Sequence, residues 1–116
     1  MISYDTKYGT VSISNEYLSK LIGNAVSSCY GVVGMAPGGK RQHLLGMVSK
    51  KEYSNKGIVI KEDEEGISVD LHIIVLYGMN ISAIAKSIVN KVRFTVDEAV
   101  GVKVDKVTVK VDGIQE

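Results

Sequence analysis

The sequence predicts an α+β fold: a two-layer sandwich in which a mixed sheet of about five strands carries two main helices on one face. Three observations lead there. Two long stretches repeat apolar residues at offsets of three and four, several shorter ones alternate apolar with polar residues, and the order strand, helix, strand occurs twice. The two units, "YGTVSISNEYLSKLIGNAVSSCYGVVGM" and "YGMNISAIAKSIVNKVRFTVDEAVGVKV", both begin with Tyr-Gly and both reach Gly-Val before their last apolar residues. They read as a pseudo-repeat of one strand-helix-strand plan.

In the first unit, "GTVSIS" alternates Val11 and Ile13 with Thr10, Ser12 and Ser14, the pattern of a strand with one apolar face. Over residues 14–30, Leu18, Leu21, Ile22, Ala25, Val26 and Cys29 form the apolar stripe of a helix. Ser14 is its predicted N-cap, Glu16 suits the positive end of the dipole, and Gly31 is the predicted stop. "GVVGMA" then reads as a short buried strand.

In the second half, "GIVIKEDEEGISV" predicts a hairpin, with Ile58 and Ile60 leading to an acidic turn at residues 62–65 and Gly66. "GISVDLHIIVLYG" sets Val69, Leu71, Ile73 and Val75 on one face, and Ile74 and Leu76 make one end of the other face apolar. That is the pattern of a central strand. A helix follows, with Ile81, Ile84, Ala85, Ile88, Val92, Val96 and Ala99 as its stripe, Asn80 or Ser82 as its cap and Gly101 closing it. In "VKVDKVTVKVDG", valines occupy even positions 102 and 104, then odd positions 107, 109 and 111. A bulge at Asp105 and Lys106 keeps them all on one face. Between the halves, "KRQHLLGMVSKKEYSN" predicts a short helix that buries Leu44, Met47 and Val48 and is weakened by Gly46.

Composition narrows the function. At 116 residues, the chain is sized for one domain spanning 1–116. With 45% apolar residues and neither a bilayer-length apolar run nor a basic-then-apolar leader, it reads as a cytoplasmic protein. Fourteen basic residues against 13 acidic ones give a net charge of +1, too small a field to make nucleic acid the default partner. The single Cys29 forms no internal disulfide, and on the helix stripe it reads as a small core residue.

The stretch "GMAPGGKR", residues 34–41, has the spacing of a phosphate-binding loop. A Walker loop requires Ser or Thr after its lysine to hold magnesium, and Arg41 stands there. Pro37, Gly38 and Gly39 instead read as a turn. "GVVG", residues 31–34, has the form of the loop with which KH domains clamp a nucleic-acid backbone, but its central valines suit a buried strand. His43 and His72 lack partners at metal-ligand spacing, so His72 reads as a partly exposed strand residue beside Asp70 and Ile74. Tyr8, Tyr30 and Tyr77, each before a glycine, read as packing at strand ends with the hydroxyl at the rim.

The segments "CYGVVGM" and "IIVLYGMNIS", the terminal spacing "V.V..V.V.V" and their order across residues 7–114 resemble the alkaline shock protein family of Gram-positive bacteria, also called the envelope stress response family. The chain is most similar to its short members. The resemblance implies a small non-enzymatic cytoplasmic protein tied to cell-envelope homeostasis and held near the membrane through a partner. It brings no catalytic, cofactor-binding or metal-ligating residues.

The expectation is therefore a structural or scaffolding protein, homo-oligomeric, meeting a membrane-linked protein partner and taking neither cofactor nor small-molecule substrate. Its candidate contact is the last strand as a sheet edge, through Val107, Val109 and Val111, with Lys106 and Lys110 as charges that blunt it. Lys40, Arg41, Lys50, Lys51 and Lys56 form a candidate basic patch for anionic lipid or RNA, and the acidic run 62–65 opposite it favours self-pairing. The alternative is a small nucleic-acid-binding α+β module, which requires one continuous basic face and steeply salt-dependent binding.

Overall fold

The computed structural model describes residues 2–36, 52–63 and 66–116. In chain order they form β1 (Ile2–Thr6), β2 (Gly9–Ile13), α1 (Asn15–Ser27), β3 (Val32–Met35), β4 (Glu52–Asn55), β5 (Ile58–Asp63), β6 (Gly66–Leu76), α2 (Ile81–Val100) and β7 (Val104–Gln115). The predicted helix at Leu44 to Val48 lies outside the described residues.

The sheet is built around β6, whose 11 residues alternate half-buried and buried as far as Val75. Ile67, Val69, Leu71, Ile73 and Val75 face the helices and are all but fully buried. Burying each such side chain contributes about 1.5–3 kcal/mol. One side of β6 is shared by two antiparallel strands set end to end: β5 pairs with residues 66–71 and β3 with residues 73–75. They meet at His72, whose N–H donates to Gly57 O and whose carbonyl accepts from Ala36 N, each at 2.8 Å. β4 continues the sheet beyond β5. β7 runs parallel along the whole other side of β6, so the five-stranded sheet is mixed, as the sequence predicts.

Both helices lie on one face. Leu18, Ile22, Ala25 and Val26 of α1 are buried, and Ser14 Oγ caps its start by accepting from Tyr17 N at 3.1 Å. The helix ends at Ser27, before the predicted stop, because the Ser28 hydroxyl takes the carbonyl of Ala25 at 2.7 Å. Gly31, with φ +92, serves a different purpose: a Cβ there would lie 2.8 Å from Ile84 Cδ1. In α2 the stripe runs through Ile84, Ile88, Val92, Val96 and Val100, whereas Ile81 and Ala99 are exposed. Asn80 is its cap, accepting from Ala83 N at 3.1 Å, and Gly101 ends it in the left-handed region at φ +75.

The two strand-helix-strand units differ in where their first strand goes. In the second unit, β6 and β7 are parallel neighbours joined by α2. In the first, β2 leaves the main sheet and pairs with β1 in a separate hairpin, so only β3 joins β6. The hairpin packs Ile2 and Ile13 against the core and is tied to α2 by Tyr4, whose hydroxyl donates to Val100 O at 2.9 Å.

Candidate interaction edge

Among the described residues β7 pairs only with β6, which leaves its other side as an open sheet edge. Twelve residues is long for an unprotected edge, whose free amides and carbonyls form a template for another strand. The strand stays in step with β6 by means of two bulges. One skips Asp105, between the pairs Ile67–Val104 and Ser68–Lys106, where the alternation of valines predicts it. Arg93 of α2 fixes it by donating to Asp105 O at 2.9 Å. The other skips Asp112, between Ile73–Val111 and Ile74–Gly113, and the sequence pattern did not signal it.

Val107, Val109 and Val111 lie opposite Val69, Leu71 and Ile73 on the helix-bearing face. They are half-buried and pack against the core, so they line the edge from beneath the helix layer. Lys106, Thr108 and Lys110 alternate with them on the other face, opposite Ser68, Asp70 and His72. There Asp70 Oδ2 lies 3.4 Å from Lys61 Nζ and 3.9 Å from Lys110 Nζ. Lys110 thus stands within ion-pair distance of a carboxylate on the neighbouring strand.

Two exposed apolar side chains flank this edge. Phe94 of α2, 65% exposed, lines a groove with Arg93, Asp97, Lys103 and Val104, between helix and strand. Ile114, 58% exposed, stands at the far end of β7 opposite Val75. The sequence reading missed both. The available signal for Phe94 was its position off the apolar stripe of its helix.

The other singled-out residues fall as follows. Lys56 is exposed in the β4–β5 turn at φ +49, and Lys40, Arg41, Lys50 and Lys51 lie outside the described residues. Of "GMAPGGKR", Gly34 and Met35 belong to β3, and residues 37–41 are likewise outside the description. Of "GVVG", Gly31 stands in the turn and Val32 to Gly34 run in β3 with a bulge at Val33, whose side chain is exposed, so the segment is a strand but not the buried one expected. Tyr8, Tyr30 and Tyr77 correct the expectation of packed rings, being 92%, 82% and 70% exposed. Each stands in a turn between elements, where the ring leaves the core. Cys29 is buried in the core, as expected, although it lies just beyond the end of α1 and not on its stripe. His72 is more enclosed than predicted, with its side chain 11% exposed and its Nδ1 2.8 Å from Asp112. Among the described residues no group of three or more His, Cys, Asp or Glu is placed to hold a metal ion. No helix among them is long and apolar enough to cross a membrane.

These features define a two-layer α+β domain with an open-edged mixed sheet. The same fold is seen in solved structures of two MamM-CTD variants, each with a TM-score of 0.51 at 16% identity, covering 89% of this chain and 100% of theirs. In sequence, the model of the alkaline shock protein 23 family, described by a cell envelope-related function, matches residues 3–116, and the chain belongs to that family. It is 38% identical to YloU of Bacillus subtilis over 114 residues, which cover 98% of this chain and 95% of YloU. It is 32% identical to Spy1614 of Streptococcus pyogenes, over 98% of this chain and 94% of that protein.

Proposed function

We propose that the protein is a non-enzymatic structural or scaffolding element of cell-envelope stress or homeostasis, acting in the cytoplasm by self-association and protein contact. The observation that carries this reading is β7, a 12-residue edge strand hydrogen-bonded on one side only among the described residues. An added strand gains main-chain hydrogen bonds along the edge and specificity from the side chains that alternate across it. The family's cell envelope-related function supplies the setting. A membrane-linked protein partner brings the domain to the membrane periphery.

Sedimentation over a concentration series, with pulldown from membrane fractions, tests this. Association that grows with concentration, together with a retained membrane-fraction protein, is expected. A strictly monomeric chain that retains nothing would sink the reading.

A further inference from the structure

We propose that the partner of β7 is β7 of a second copy, paired antiparallel about a two-fold axis through Val109, so that two five-stranded sheets become one. This rests on the self-association reading and adds the surface, the register and the contacts.

The register follows from symmetry and charge. A two-fold perpendicular to the sheet leaves each side chain on its own face, so opposed residues must share a face. The axis therefore passes through one residue of the strand. Through Thr108 it would set Lys106 against the partner's Lys110 twice, and through Lys110 it would set that lysine against itself. Like charges directly opposed are destabilising. Through Val107 or Val111 it leaves a stretch of the strand unpaired at one end.

Through Val109 these conflicts vanish. Val107 meets the partner's Val111, Thr108 meets the partner's Lys110, and Lys106 comes beside the partner's Asp112. Val109 lies at the middle of Val104–Gln115, so nearly the whole strand is paired.

The same register accounts for the exposed apolar pair. Ile114 falls opposite the partner's Val104 on the helix-bearing face. Val104 lines the groove that holds Phe94, so the protruding isoleucine enters the partner's groove at each end of the joint. Apolar surface left open by each copy is then covered by the other.

A cysteine scan over residues 107–111, in a Cys29→Ser background, tests the register by disulfide formation under mild oxidation. Self-opposed residues of an antiparallel pair have Cα atoms about 4.5–5.5 Å apart, within disulfide reach, whereas a residue one place from the axis is beyond about 7 Å from its copy. Val109→Cys is expected to give the strongest linked dimer, with Thr108→Cys and Lys110→Cys several-fold weaker. Adding Lys106→Glu to Val109→Cys is expected to lower the yield several-fold. A maximum elsewhere, or a yield indifferent to Lys106→Glu, in a chain that sedimentation shows to associate, overturns the register and leaves self-association standing. A chain that sediments as a monomer at every concentration overturns both.

Discussion

The imidazole of His72 and the carboxylate of Asp112 meet at 2.8 Å across the β6–β7 ladder, at the point where the ladder skips Asp112. The bulge turns this carboxylate onto the face away from the helices, where it accepts from the Nδ1–H of the half-buried ring. Among the described residues the buried Nε2 has no hydrogen-bond partner. The same residue holds β3 and β5 through its backbone, since its N–H and C=O serve Gly57 and Ala36. The strand junction and the second bulge of β7 are thus fixed by one residue.

Removing the carboxylate should therefore cost stability. Asp112→Ala leaves the half-buried Nδ1 without its partner, and an unmade bond of this kind costs about 1–3 kcal/mol. The paired change His72→Leu with Asp112→Ala should cost less than the sum of the singles, because neither polar group is then stranded. Urea unfolding of the four chains measures the coupling; strict additivity would show that the contact contributes nothing.

A second prediction concerns the place where β3 meets β5. Gly57 has φ +85, and a Cβ on it would run into the carbonyl oxygen of Ala36 and lie 3.0 Å from that of His72. Gly57→Ala should cost at least about 2 kcal/mol, adding steric overlap to the left-handed conformation. Gly34→Ala is the control, since a Cβ there meets nothing within 4 Å. A thermal scan that finds the two equally damaging would contradict the junction as described.

How legible this fold was depends on how much of each pattern lay within one element. The helix stripe through Ile84, Ile88, Val92 and Val96, the buried alternation of β6 and the bulge at Asp105 follow from periodicity, which burial enforces. β1 and β4 were missed because a short, polar strand is specified by its neighbour rather than by itself. Glu52 to Asn55 becomes a strand through pairing with β5 across a turn in which both Lys56 and Gly57 have positive φ. That the last segment is a strand with Val107, Val109 and Val111 on one face was legible in its alternation. Phe94 was not, because only the packing of α2 against β7 brings a helix residue beside that edge, and Ile114 was not, because the unsignalled bulge at Asp112 decides which face it takes.

The hairpin of β1 and β2 should loosen when its tie is cut. A lone two-stranded hairpin is marginal in water, and Tyr4 is only 38% exposed because it reaches the end of α2. Tyr4→Phe removes the bond to Val100 O and should cost about 0.5–1.5 kcal/mol. Amide exchange should quicken across residues 2–13 and change little in β6. Equal acceleration in both would mean that the hairpin opens only with the whole domain.

Phe94 and Ile114 should matter for association and not for folding. Each is more than half exposed, so Phe94→Asp or Ile114→Asp removes little buried area from the single chain, and the melting temperature of the dilute protein should barely move. Both side chains lose cover only when copies separate, so each variant should weaken the dimer by roughly tenfold or more, about 1.4 kcal/mol. Because the two meet in one contact, the double variant should cost less than the sum of the singles. Sedimentation equilibrium gives all four dissociation constants, and independent effects would place Phe94 and Ile114 in separate surfaces.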